Sequence, residues 1–190
     1  MEPFITPEVI NRLKEGDLTA FDEMYSATIN KVYGTVYVLA PNKQEVDEIV
    51  NEIYFQVWKS ISNYDESSPF TFWLNGLVFR QLKNWKLKAW KRMELVRKIK
   101  SFSMKDSFVR DDVLKSQNQE WVFSMVDSMP YKLKEVLLLV YFYDYSLKEV
   151  ANVLNVPVGT IKSRHHTAIK YLKKRYGNSI TSREVGLNKC

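Results

Sequence analysis

Apolar residues recur along this chain every three or four positions, with little of the strict alternation that marks strands, and that spacing predicts helices almost throughout. Between Leu18 and Ala40 they fall at Phe21, Met24, Tyr25, Ile29, Val32, Tyr33 and Val36, one face of a helix that Pro41-Asn42 ends. A second helix follows at once. Asn42 with Glu45 three residues on reads as a capping box, and Val46, Ile49, Val50, Ile53, Val57 and Ile61 form the buried stripe. The stretch SNYDESSP, Ser62 to Pro69, has turn chemistry, with Pro69 suited to the first turn of a third helix that begins apolar and ends cationic. From Ser101 to Gln119 the stripe is lost and both charge signs mix, which reads as a linker. Apolar periodicity resumes at Trp121, breaks at Met129-Pro130, and runs on through Val136, Leu137, Leu139 and Val140. The pattern predicts an all-α protein: helical domains at residues 1–100 and 120–177, a flexible linker at 101–119 between them, and a tail at 178–190 with no assigned role.

The stretch SLKEVANVLNVPVGTIKSRHHTAIKYLKKRYG, Ser146 to Gly177, holds two helical patterns around one short break. Ser146 with Glu149 offers a capping box, and Val150, Ala151 and Leu154 make the inner face, Ala151 being small where two helices must approach closely. Asn155 sits at the break, where a helix-turn-helix needs a positive φ; glycine adopts it most easily and asparagine next. Pro157 fits the first turn of the following helix, and Ile161 returns an apolar side chain to the joint. On that second helix Ile161, His165, Ala168 and Leu172 share one face, and Thr160, Ser163, Arg164 and Thr167 the opposite one. Short hydroxyls and a guanidinium near a helix N-terminus suit the DNA major groove, with Lys162, Lys170, Lys173, Lys174 and Arg175 as flanking phosphate contacts. The alternative is an amphipathic hairpin with a solvated charged face. The small residue, the break residue and the apolar return at this spacing weigh against it.

Composition narrows the partners. The 190 residues are 45% apolar, enough for a buried core, and the formal charge of +6 favours an anionic partner, nucleic acid or a membrane surface. Charge alone does not decide, since many basic proteins are merely soluble. The single cysteine, Cys190, excludes an internal disulfide and a thiolate metal cluster, which fits a reducing compartment. The start of the chain is acidic at its second position and does not read as a secretory signal. The longest apolar run, Val136 to Tyr143, is far shorter than the roughly 20 residues a membrane span needs. A soluble, cytoplasmic protein without membrane insertion is expected. No carboxylate cluster at metal-binding spacing and no nucleophile–base pair stands out, so neither enzyme activity, cofactor nor metal is expected; His165 reads as a partly buried histidine.

Two further helices carry chemistry. In the third, Phe70, Phe72, Trp73, Phe79, Trp85 and Trp90 are interleaved with Arg80, Lys83, Lys86, Lys88, Lys91 and Arg92, stacking faces for unpaired bases beside cations for their backbone. Trp73, Leu74 and Phe79 have a competing place in the core; Trp85 and Trp90, embedded among lysines, fit stacking better. In the second helix Asp47, Asn51 and Tyr54 lie on one edge and Glu48 and Glu52 on another, outside the apolar stripe. Such groups make a poor DNA surface and a good protein one, or a merely solvated acidic face.

At these residues the chain resembles the RNA polymerase sigma factors of the extracytoplasmic-function group. The run from Val126 to Lys174, with Met129-Pro130 at its start and Gly159 to Arg164 as the GT-[VI]-K-SR signature, is similar to the family's C-terminal promoter-reading domain. GDLTAFDEMY, EVDEIVNEIYFQVW and PFTFWL resemble, in order, its first helix, its polymerase-binding helix and the entry to its promoter-melting helix; the likeness spans roughly Gly16 to Tyr176. The resemblance implies a non-enzymatic promoter-specificity subunit. It would contact core RNA polymerase through Asp47, Glu48, Asn51, Glu52 and Tyr54. Minus-ten DNA would be met by Tyr64, Phe70, Trp73, Arg80, Lys83, Asn84, Lys86 and Lys88, with the loop Asn63 to Ser68 taking a flipped base. Minus-thirty-five DNA would be met by Thr160, Lys162, Ser163, Arg164, His166, Thr167 and Lys170. The family is commonly held by a cognate anti-sigma protein, so one is a further expected partner. Arg80, Asn84, His165 and Thr167 depart from the family's usual residues, and with Arg80 and Thr167 among the expected DNA contacts the preferred promoter is expected to differ from the commonest one. A helix-turn-helix repressor or activator acting without polymerase would explain the C-terminal pair but leave the aromatic-basic helix idle; a nuclease has no support in the motifs.

Overall fold

The structure is a computed structural model that describes residues 5–99 and 128–176. Every regular segment among them is helical, as the apolar spacing predicts. The chain divides into two compact units, Met1–Ala89 and Trp90–Cys190. The expected linker at 101–119 and the helical restart at Trp121 lie outside the described residues.

The N-terminal unit opens with a helix the sequence reading passed over, α1 (Pro7–Lys14). Its start signals are present: Thr6 caps the Val9 N–H at 3.4 Å, Pro7 occupies the first turn, and Glu8 adds an acidic residue there. Ile10 and Leu13 are its buried residues. Gly16, at φ +84°, makes the tight connection to α2 (Leu18–Leu39), where the Asp17 carboxylate accepts from the N–H groups of Thr19 and Ala20. The same residue is fastened back to α1. The Arg12 guanidinium donates to Asp17 at 2.7 Å, Glu23 at 3.0 Å and Thr19 at 2.5 Å. Donation from the Thr19 hydroxyl, at 2.7 Å, and from Arg12 holds the Asp17 carboxyl at about 2, below the ordinary carboxylate range.

Asn42 does cap, but not a capping box: its side chain accepts from the Gln44 N–H at 3.1 Å and opens a 3₁₀ turn, Lys43–Glu45, ahead of α3 (Val46–Ser60). Met24, Val32, Ile49, Ile53 and Val57 interlock α2 with α3, all 1% exposed or less. A second 3₁₀ turn, Ile61–Asn63, leads to α4 (Phe70–Ile99), whose inner stripe is Leu74, Val78, Leu82 and Trp85.

The C-terminal unit is built on α5 (Tyr131–Leu137), a π-helical turn at Leu138–Phe142, α6 (Leu147–Leu154) and α7 (Val158–Tyr176). Met129, Leu133 and Leu137 pack with Ala168 and Leu172, so α5 lies along the second half of α7. Val150, Ala151 and Ile161 close the joint between α6 and α7. The capping box is formed in both directions, Glu149 N–H to Ser146 Oγ at 3.3 Å and Ser146 N–H to Glu149 Oε2 at 2.7 Å. Asn155 takes the left-handed conformation expected of it, φ 51° and ψ 56°.

Candidate nucleic-acid interface

The angled pair presents α7 with one face in the core and the other in solvent. Ile161, Ala168 and Leu172 are buried; Lys162, Ser163, His166, Thr167, Lys170, Lys173, Lys174 and Arg175 are exposed. From Lys162 to Lys174 the exposed set steps by one or three residues and so forms one helical face of cations, hydroxyls and an imidazole, with Arg175 beyond its edge. The Thr167 hydroxyl donates to the Ser163 carbonyl at 2.9 Å, which leaves its lone pairs directed outward as acceptors.

Arg164 departs from that face. Its guanidinium reaches back to Glu135 on α5, Nη1 to Oε1 at 3.3 Å, with the two side chains 19% and 13% exposed. The neighbouring His165 turns inward too: its Nε2 lies 3.0 Å from the Tyr141 hydroxyl on the π-helical turn, and the rings stack with centroids 5.8 Å apart. Burial pushes the imidazole pKa below its ordinary 6.5, and the charge of His166 adds to that. Two adjacent residues of α7 thus tie the helix to α5 and the π turn.

A second cationic face runs along α4. Arg80, Lys83, Asn84, Leu87 and Lys91 follow one another at helical spacing and are all exposed, as are Lys86, Lys88, Trp90 and Arg92 beside them. Trp90 is 58% exposed, whereas Trp85 is 7% exposed, with the Lys88 ammonium 5.3 Å from its ring centroid. Before α4 stands the loop after Asn63. Tyr64, Phe70 and Trp73 form an aromatic floor beneath it, with centroids 5.3 to 5.6 Å apart. The Tyr64 hydroxyl donates to the Ser68 carbonyl at 2.5 Å, closing the loop on itself. Asp65 accepts from the Ser67 hydroxyl and N–H at 2.7 and 2.8 Å; those bonds lower its carboxyl pKa, and the charge of Lys14 lowers it further.

The third face is acidic. Asp47, Glu48 and Asn51 are exposed on α3 and Glu52 is half-buried, its carboxylate accepting from Gln56 at 2.9 Å. Phe55, 58% exposed, stands among them. Glu52 and Gln56 also line one wall of a cleft of about 360 Å³ whose other wall is Gln81, Asn84, Leu87 and Lys88 of α4.

Residues 24–92 match the family model Sigma-70 region 2, and residues 126–174 match Sigma-70 region 4. The chain is 26% identical to the ECF RNA polymerase sigma factor SigW of Bacillus subtilis over 176 residues, 87% of this chain and 94% of that protein. It is 25% identical to the ECF RNA polymerase sigma-E factor of Haemophilus influenzae over 179 residues, 88% of this chain and 93% of that one. The chain belongs to the extracytoplasmic-function sigma factors. Among solved structures, its fold is similar to that of CnrH in complex with the cytosolic domain of CnrY, with TM-score 0.61, 17% identity and coverage of 90% of this chain and 96% of that one. It is also similar to the sigma factor RpoE in complex with the anti-sigma factor NepR from Bartonella quintana, with TM-score 0.63, 15% identity and coverage of 81% and 94%. Sigma factors are transcription initiation factors without enzymatic activity of their own.

Within this sigma factor the predicted residues divide by burial. Lys162, Ser163, His166, Thr167 and Lys170 share one open face of α7, and Thr160 stands half-buried at its start. Arg164, expected on that face, is drawn into the ion pair with Glu135. Arg80, Lys83, Asn84, Lys86 and Lys88 are open on α4; Trp73 is half-buried, and Tyr64 and Phe70 are in the core at 5% exposure each. Trp85 likewise belongs to the core, a correction to its expected place among exposed stacking groups. Tyr54 is not on an open edge of α3: it is 4% exposed, its hydroxyl 2.8 Å from that of Thr28, and burial raises its pKa strongly. Phe55, one residue on, is the exposed aromatic of that face; its place off the Val46–Val50–Val57 stripe was readable from the spacing. Among the described residues no group of three or more His, Cys, Asp or Glu side chains is placed to hold a metal ion. No described helix is long and apolar enough to cross a membrane.

Proposed function

We propose that this sigma factor binds core RNA polymerase through the outer face of α3, reads the minus-thirty-five element with the open face of α7, and opens the minus-ten element with α4 and the loop before it. The carrying observation is the outer side of α4: five exposed cations from Arg80 to Lys91, with a largely exposed tryptophan at position 90. A duplex-binding repressor has no use for such a surface, because bases stack on an aromatic ring only once they are unpaired. On α3 the acidic and amide groups Asp47, Glu48, Asn51 and Glu52 surround exposed Phe55, an apolar centre with a polar rim. On α7 Lys162 and Lys170 would neutralise phosphates, and Ser163, His166 and Thr167 would face base edges.

Tyr54, Tyr64, Phe70 and Trp85 enter this reading as supports. Tyr64 and Phe70 floor the loop at residues 63–68, which would hold the flipped minus-ten base. A cognate anti-sigma protein is a further proposed partner, consistent with the anti-sigma complex named for the RpoE structure similar in fold. The test is run-off transcription of a genomic DNA library by reconstituted holoenzyme, with footprinting of the promoters obtained. Confirmed polymerase binding without any promoter-dependent product would defeat the reading.

A further inference from the structure

Helix α1 ends on a side chain that leaves its own helix for a distant loop. Lys14 Nζ lies 2.7 Å from Glu66 Oε1, across 52 residues of sequence, and 5.5 Å from the centroid of the Tyr64 ring. The Lys14 side chain is 27% exposed and Glu66 52% exposed. Among the described residues the loop's other side-chain ties run to itself and to its floor, Tyr64 to Ser68, Asp65 to Ser67, and the rings of Tyr64, Phe70 and Trp73 below, while the turn Ile61–Asn63 at its start also packs near α1. Those ties set the loop's internal shape. Lys14 sets its position relative to a separate helix.

That helix is itself held. Arg12, two residues before Lys14 and so on the other side of α1, makes its three contacts to Asp17, Thr19 and Glu23, so α1 is secured to the first two turns of α2. A brace therefore runs from α2 through Arg12, α1 and Lys14 to Glu66. We propose that Lys14 is a positioning residue for minus-ten base selection, fixing the loop at residues 63–68 through Glu66 and the Tyr64 ring. This rests on the proposal that the loop takes the flipped base. Its physical basis is pre-organisation: a loop held in one arrangement discriminates between bases, whereas one that shifts accepts the wrong base with less loss.

The competing role for a lysine here is a plain phosphate contact, and the two make opposite forecasts at Glu66. Removing the Glu66 charge loosens its hold on Lys14 and lessens repulsion of DNA, so a phosphate contact gains; a brace is weakened. The readout is the ratio of transcription from a promoter selected by the holoenzyme to that from its single-base substitutions at each minus-ten position. Lys14→Ala is expected to lower that ratio by about two- to five-fold, the scale of one partly exposed ion pair, and Glu66→Gln, whose amide oxygen can still accept from Lys14, to lower it by less. The double variant should fall no further, and the charge-exchanged pair Lys14→Glu with Glu66→Lys should recover most of the ratio. Thermal unfolding of each variant checks that the fold persists. An unchanged ratio for Lys14→Ala with uniformly weaker transcription, or a raised ratio for Glu66→Gln, would overturn the brace while leaving the loop's role intact. An unchanged ratio when Asp65 and Ser67 are both replaced by Ala would show that the loop selects no base, overturning the reading beneath the brace as well.

Discussion

Replacing Arg164 by Ala separates a group that reads DNA from one that holds the reader. The pair it makes with Glu135 is neither a surface nor a core interaction, with a 3.3 Å separation and side chains 19% and 13% exposed. Exposed pairs contribute roughly 0–1 kcal/mol, and removing one partner of a fully buried pair costs about 3–5 kcal/mol because the other charge stays desolvated. Interpolating by exposure gives about 1–3 kcal/mol for Arg164→Ala. Glu135→Gln should cost less, since the amide still accepts from the guanidinium. The assay is hydrogen exchange along α5 and α7 in the full chain, which reads local opening directly; about 1–3 kcal/mol corresponds to opening about 5- to 150-fold more frequent. A double-mutant cycle with Glu135→Ala should recover a coupling of about 1 kcal/mol or more. Binding to a minus-thirty-five duplex by holoenzyme would weaken in Arg164→Ala and in Glu135→Ala alike, because both release α7 from α5. Unchanged exchange with lost duplex binding in Arg164→Ala, together with tighter binding in Glu135→Gln, would refute the positioning argument and return Arg164 to the DNA face.

The two tryptophans of α4 should part company: Trp85→Ala is expected to cost about 3–5 kcal/mol of stability by urea unfolding. Trp90→Ala should stay within about 0.5 kcal/mol yet lower permanganate reactivity of minus-ten thymines in the holoenzyme complex. His165 has a folded-state pKa below its ordinary 6.5, so the unfolded chain binds the proton more readily; its contribution is present above that value and is lost as pH falls through the folded pKa. Exchange from α7 should therefore quicken as pH drops from about 8 to about 5 after correction for intrinsic rates, and His165→Gln should flatten that slope. Replacing Asp47 and Asn51 together by Ala should weaken capture of core polymerase at unchanged helicity, since both side chains are exposed on α3.

Local rules carried much of the fold into the sequence. Helix spacing, the Ser146–Glu149 capping box and the asparagine at the break are each settled within a few residues by hydrogen-bond valence and backbone sterics, so all three can be read without knowing what packs where. Some misreadings were recoverable on the same terms. Trp85 continues the stripe of Leu74, Val78 and Leu82, and Tyr54 falls between Val50 and Val57 on the inner side of α3; phase on the helix, and not the polarity of the neighbours, decides the burial of both. The start of α1 was likewise marked, by Thr6, Pro7 and Glu8.

Other features depend on where helices meet. Glu135 and Arg164 are 29 residues apart, Tyr141 and His165 24, and Lys14 and Glu66 52; no periodicity links the members of any pair. The sequence by itself determined the helices, their apolar faces, the break that angles α6 against α7, and the excess of cations available to nucleic acid. The tertiary structure alone decided which of those polar side chains remain free to meet a partner and which are consumed in holding the helices that present them. The reason is that charge and hydrogen-bonding capacity belong to the residue, whereas burial and pairing belong to the approach of segments distant in the chain.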